Sequence, residues 1–102
     1  MAMTGKRRHQ RFQISLNFGT GEDYTFLGQS RDISESGVFV RTDLRPAVGS
    51  TIQVGFGWGD EHVMSPARVI HHGEDGIGLE FLERDWLFER AMQEIIEEVK
   101  ES

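Results

Sequence analysis

Short runs in which apolar and polar residues alternate constrain the fold of this chain more than any other feature. The clearest run is residues 12–18, where every even-numbered residue is apolar and the residues between them are polar. Side chains of a β-strand point alternately to opposite faces, so this pattern predicts a strand with one buried face. Glycine-rich residues 19–22 separate it from a second run at 24–27, and the two runs are predicted to form a hairpin.

Four further strands are predicted downstream. They cover residues 37–42, 52–58, about 68–71 and 77–81, and are separated by Asp-, Gly- or Pro-containing turns at 43–46, 59–62 and 73–76. A chain of 102 residues forms about one domain. Six short strands at regular spacing are typical of a small antiparallel barrel or sandwich, and both architectures remain open at this point.

A helix is predicted after the last strand, because the hydrophobic period changes there. Apolar residues recur at helical spacing: Phe88, Met92, Ile95 and Val99. Asp85 is the predicted N-cap, and four glutamates lie on the more polar sides of the helix. We expect the apolar face to pack on the open end of the β-structure, since such faces are normally buried, with self-association as the alternative.

Charge is distributed unevenly along the chain, whose net charge is −6 at pH 7. Residues 1–11 carry four basic and no acidic side chains, whereas residues 80–102 carry eight acidic and three basic ones. General binding to nucleic acid depends on many dispersed basic residues, so we predict no DNA or RNA partner. Only the N-terminal segment is suited to bind an anion.

Other compositional features narrow the class of protein further. The sequence has no cysteine, which excludes disulfides and thiolate chemistry. It also lacks an apolar run long enough to span a bilayer and the apolar core of a secretory signal. We therefore expect a cytoplasmic protein without membrane insertion.

Side chains with catalytic potential do not occur in a working arrangement. His71 and His72 are neighbours on a predicted strand, so they point to opposite faces and cannot chelate one metal ion together; we expect both to be solvated. Ser34 and Ser36 lie near Asp32, but no Gly-x-Ser-x-Gly motif or phosphate-binding glycine loop is present. We predict that the chain is not an enzyme and uses no cofactor or metal.

Two short motifs remain, Arg7-x-x-x-Arg11 and, about twenty residues later, Asp32-x-Ser34-x-x-Gly37. Taken singly, the first is a solvated basic tail. The second is an ordinary turn, since Asp and Ser side chains bond nearby amides and Gly permits close backbone approach. Taken together, and followed by a Gly-Ile-Gly-Leu-Glu-Phe strand, they resemble the PilZ domain family. The resemblance extends over nearly the whole chain.

PilZ domains are six-stranded β-barrels that act as receptors for the bacterial second messenger cyclic di-GMP. The resemblance implies a flexible basic arm at residues 1–11, a barrel at 12–82 and an acidic amphipathic helix at 83–102. It further implies a stand-alone bacterial receptor in motility, biofilm or related signalling. Ligand binding would order the arm and change contacts with an effector protein, the receptor being a monomer or weak dimer. The alternative is a PilZ adaptor that binds no ligand and acts through protein contacts in pilus or motility machinery.

The family motifs imply the following ligand-binding residues: Arg7, Arg8, Arg11, Asp32, Ser34 and Gly37, with Lys6, Ser36 and Gly78 as secondary contributors. The chemistry of these residue types agrees with that ligand. The two-donor fork of arginine matches the O6 and N7 acceptors of guanine. Asp32 can accept from the guanine ring N–H and amino group, which adenine does not offer together. Ser34 and Gly37 would line the phosphates or sugar, Gly37 because a Cβ there would crowd the ligand.

Overall fold

Six antiparallel strands and one helix make up the part of the chain that the computed structural model describes, residues 10–101. The strands are β1 (Asn17–Thr20), β2 (Thr25–Ile33), β3 (Gly37–Arg41), β4 (Thr51–Trp58), β5 (Glu61–His72) and β6 (Gly76–Phe81), and the helix is α1 (Trp86–Glu101). The strands pair in the order β1-β2-β3-β6-β5-β4, and β4 pairs with β1, which closes a barrel. The mainly β fold is confirmed, as a barrel rather than a sandwich.

The alternating run at residues 12–18 has the predicted burial, but only its last residues form a β-strand. Ile14 and Phe18 are buried while the polar residues between them are exposed. Strand β1 begins only at residue 17, and the preceding segment is held differently. The buried Ser30 hydroxyl donates to the carbonyl of Ile14 and accepts from the amide of Leu16. The predicted hairpin of β1 with β2 is confirmed, with its turn at residues 21–24 rather than 19–22.

Two strands are longer than the sequence pattern predicts. β2 continues to Ile33, although the prediction ended at residue 27, so Asp32 lies in a strand and not in a turn. β5 begins at Glu61, within the predicted turn at 59–62. Inward-facing small residues at alternate positions of β5 include Ser65, whose hydroxyl donates to the carbonyl of Glu83. The strand predicted at 68–71 is therefore only the second half of a 12-residue strand.

Helix α1 packs against the barrel, as expected, through Phe88. Its ring meets those of Phe56 and Phe81 edge-on, with centroids 5.7 and 4.8 Å apart. The predicted N-cap is confirmed, because the Asp85 carboxylate accepts from the amide of Phe88 at 2.9 Å. The predicted face was wrong at its last position: Val99 is exposed, and Ile96 is buried instead.

Among the described residues, no helix is both long and apolar enough to cross a membrane.

Candidate functional site

The segment before β1 brings Arg11 to the second motif. Phe12 and Ile33 exchange two backbone hydrogen bonds of 2.8 Å, forming an isolated bridge between this segment and the end of β2. Arg11 therefore lies beside Asp32, although the two residues are 21 positions apart in sequence. The other predicted members of the basic segment, Lys6, Arg7 and Arg8, lie outside the described residues.

Asp32 is held between two arginines. The Arg11 Nε donates to its Oδ1 at 2.6 Å, and the Arg31 Nε donates to its Oδ2 at 2.8 Å. The Asp32 side chain is 13% exposed, whereas the two arginine side chains are 48% and 44% exposed. Partial burial raises the pKa of the carboxyl, but the hydrogen bonds and charges of Arg31 and Arg11 outweigh it and hold the pKa of Asp32 below its ordinary value. The group is thus an ionised acceptor at neutral pH.

Ser34 organises the turn between β2 and β3. Its buried hydroxyl accepts from the amides of Ser36 and Gly37, both at 3.2 Å, and lies 3.2 Å from the hydroxyl of Ser36. The Arg11 Nη1 reaches the same oxygen at 3.5 Å. The expectation that the motif holds its own turn is confirmed for Ser34, but not for Asp32, whose carboxylate bonds to arginines instead.

The same turn is also held by the last residue of β6 and by the segment between β6 and α1. The Arg84 Nη1 donates to the carbonyl of Glu35 at 2.7 Å, and the amide of Phe81 donates to the carbonyl of Ser36 at 2.9 Å. These bonds hold the backbone of the turn that carries Ser34 and Ser36.

Gly37 has a packing role within the barrel. A Cβ at this position would lie 2.3 Å from the carbonyl oxygen of Leu79 on β6, a backbone atom that cannot move aside cheaply. From the sequence this glycine was expected to serve either a turn or the ligand, and the structure adds a packing reason within the barrel. A contact between Gly37 and the ligand stays a prediction.

A shallow depression lies on the outer face of the barrel next to Asp32. The register places Asp32 opposite Phe39, Phe39 opposite Gly78 and Gly78 opposite His71, in one row across β2, β3, β6 and β5. Gly78 has no side chain, and the His71 ring occupies the space where its Cβ would be. The depression is lined by these residues together with Arg11 and Arg31.

Three residues of this depression were missed by the sequence analysis: Arg31, Phe39 and His71. His71 was expected only to be solvated, yet its ring centroid lies 5.8 Å from that of Phe39. Its neighbour His72 also has a partner, since its Nε2 donates to the carbonyl of Pro46 at 2.7 Å. The alternating pattern of the strands gave no signal for this cluster, because the cluster forms across four strands. Within residues 10–101, no group of three or more side chains is placed to hold a metal ion.

The arrangement is suited to bind an anion that also offers hydrogen-bond donors. Among the described residues, two guanidinium groups pair with the one carboxylate of Asp32, an excess of one positive charge at this end of the site. In the described part of the chain, each carboxylate oxygen of Asp32 accepts one hydrogen bond from an arginine, and a carboxylate oxygen can accept a second.

Comparison with family models decides the classification, since the model described as "PilZ domain" matches residues 5–98. The chain belongs to the PilZ domain family. The matched residues include both motifs and most of helix α1. Comparison with curated proteins gives no match.

Solved structures share the fold of this PilZ chain. The Bacillus subtilis inhibitor of motility MotI/DgrA is 17% identical with a TM-score of 0.75, and the alignment covers 97% of this chain and 53% of that one. YcgR from Escherichia coli, solved in complex with c-di-GMP, is 20% identical with a TM-score of 0.71, covering 94% and 46%. This chain thus spans about half the length of each. An uncharacterized Legionella protein is 17% identical with a TM-score of 0.65, covering 89% and 98%.

Proposed function

We propose that this PilZ chain is a receptor for cyclic di-GMP. The residues proposed to bind the ligand are Arg7, Arg8, Arg11, Asp32, Ser34 and Gly37, with secondary contributions from Lys6, Ser36 and Gly78. Family membership supports the proposal, and the c-di-GMP complex of YcgR, which has the same fold, is consistent with it.

The observation that carries the proposal is the contact of Arg11 with Asp32 and Ser34. The last arginine of the first motif lies 2.6 Å from the carboxylate that begins the second, and 3.5 Å from its serine hydroxyl. One ligand can therefore contact both motifs. Asp32, held ionised, accepts the ring N–H and amino group of a guanine, while the arginines bind O6 and N7 or a phosphate.

The proposed signal is a change in protein surface. Ligand binding would order the basic arm at residues 1–11 over the barrel, and the ligand phosphates would neutralise its positive charge. A partner protein that contacts this surface distinguishes the two states, because its binding free energy differs between them. The processes this would serve are motility, biofilm formation or related bacterial signalling. No catalytic step is assigned to the chain.

Arginine substitutions test the proposal. Arg7→Ala and Arg11→Ala should each weaken cyclic di-GMP binding by at least about tenfold, as expected for loss of a charge-assisted hydrogen bond. The control is Arg90→Ala, which removes the same charge from an exposed position on α1. Isothermal titration measures binding, and thermal melting shows that each variant is folded.

Two results would contradict the proposal. If the native chain does not bind cyclic di-GMP, the alternative of a PilZ adaptor acting only through protein contacts is favoured. If Arg90→Ala weakens binding as much as the two motif variants, general charge attraction explains the binding and the assigned site is wrong.

A further inference from the structure

Arg31 and Asp32 lie on the same face of the barrel because of an irregularity in β2. Ser30 pairs with Val40 and Asp32 pairs with Phe39, so Arg31 is an extra residue in β2 with no partner on β3. Successive residues of a regular strand point to opposite faces, so Arg31, which follows the buried Ser30, points outward, and the bulge turns the Asp32 side chain to the same face. Arg31 and Asp32 therefore both lie on the outer surface, where their side chains form an ion pair of 2.8 Å.

The guanidinium of Arg31 lies over the face of an aromatic ring. Its Cζ lies 3.9 Å from the centroid of the Phe39 ring. A cation in this position is attracted to the ring face, and the bond from its Nε to Asp32 fixes its orientation in the plane. Two independent contacts within the protein thus define the position of this side chain.

Phe39 is buried without belonging to the barrel's hydrophobic core. It is 3% exposed, yet it is not part of the core cluster and instead contacts Arg31 and His71 on the outer face. The Arg31 side chain above it remains 44% exposed. The ring therefore supports the guanidinium, and the accessible face is that of the guanidinium turned away from the ring.

A planar cation with one open face, beside an ionised carboxylate, suits a guanine base. The guanidinium can stack on the purine, while Asp32 accepts the donors on the guanine edge. The positive charge left by Arg11 and Arg31 around Asp32 favours a ligand that also carries phosphate.

We propose that Arg31 is a further ligand-binding residue, and that its guanidinium, supported by Phe39, is the surface on which one guanine of the ligand stacks. This inference rests on the proposed function as a cyclic di-GMP receptor. Neither sequence motif includes Arg31, and the role follows from the bulge and from the stack on Phe39.

The test compares Arg31→Ala and Arg31→Lys with the native chain by isothermal titration of cyclic di-GMP. Loss of the stacking surface for one base should weaken binding by at least about fivefold in each variant. Lysine keeps the charge but lacks the planar group, so Arg31→Lys separates stacking from charge attraction. Arg90→Ala is again the charge control and should bind within about twofold of the native chain.

Phe39→Leu provides a second, independent test, since leucine keeps an apolar side chain but has no aromatic ring beneath the guanidinium. It should weaken binding in the native background and have little further effect in the Arg31→Ala background, because the two residues act as a unit. Thermal melting confirms that the variants are folded.

The outcomes separate this inference from the proposed function. If the native chain binds cyclic di-GMP and Arg31→Lys binds equally well, charge alone explains the contribution of this position and the stacking role is overturned. If Phe39→Leu weakens the Arg31→Ala variant by the same factor as the native chain, the support by Phe39 is overturned. If the native chain does not bind, the proposed function fails and the inference falls with it.

Discussion

Replacing Ser30 by alanine tests how the segment carrying Arg11 is held on the barrel. The Ser30 side chain is fully buried, and its hydroxyl bonds the carbonyl of Ile14 and the amide of Leu16. Ser30→Ala leaves this acceptor and this donor without the hydroxyl. One unpaired buried polar group costs about 1–3 kcal/mol. Because Leu16 is only half-buried and water can reach its amide, we expect the free energy of unfolding to fall by about 2 kcal/mol in total.

Urea denaturation followed by tryptophan fluorescence measures this change, and thermal melting gives a second readout. For a small domain, 1 kcal/mol corresponds to roughly 4–8 °C, so the melting temperature should fall by about 10 °C. The matched control is Ser15→Ala in the same segment. Ser15 is exposed, so its replacement should change the free energy of unfolding by no more than about 0.5 kcal/mol.

A loss below about 0.5 kcal/mol in Ser30→Ala would refute the reasoning, because the two hydrogen bonds would then contribute no more than surface contacts do. An equal loss in Ser15→Ala would also refute it. In the expected case, the variant should additionally bind cyclic di-GMP more weakly, since the position of Arg11 depends on the same segment.

Two further predictions concern the second motif. Gly37→Ala should lower the free energy of unfolding by about 1–3 kcal/mol, because its Cβ would overlap the Leu79 carbonyl. The control is Gly57→Ala, which should be tolerated because the nearest atom to its Cβ is 3.7 Å away. Equal urea midpoints for the two variants would contradict this prediction. The lowered pKa of Asp32 means that its ionised form stabilises the folded chain above the ordinary value of 3.8 and that this contribution disappears as the pH falls through the lowered pKa. The difference in stability between the native chain and Asp32→Asn should therefore narrow from about pH 6 to about pH 3, and a constant difference would show that the carboxylate charge contributes nothing.

The sequence predicts the strands that alternate cleanly, and it fails where backbone irregularities interrupt the alternation. β2 contains Gly28 and the bulge at Arg31, so its second half shows no period of two. In β5, Pro66 cannot donate a hydrogen bond and argues against a strand, but its carbonyl accepts from the amide of Leu82. The helical face is predicted to within one position, and the choice between Val99 and Ile96 depends on how α1 meets the barrel.

The candidate site, too, is predictable from the sequence only in part. Both motifs are visible in the sequence, and the contact of Arg11 with Asp32 agrees with the family resemblance. The platform of Arg31 on Phe39 depends on a one-residue change of register, which no local pattern encodes. Residue types that bind the ligand can thus be recognised from sequence, whereas the surface that they share becomes visible only when strands are paired.

The most direct test of the central claim is isothermal titration of the native chain with cyclic di-GMP and, in parallel, with cyclic di-AMP. Both ligands carry the same phosphates and sugars, so the comparison isolates the recognition of guanine by Asp32 and the arginines. We expect saturable binding of cyclic di-GMP, and binding of cyclic di-AMP that is weaker by at least about fivefold, the discrimination expected from one well-paired base edge. Absence of cyclic di-GMP binding, or equal affinity for the two ligands, would contradict it.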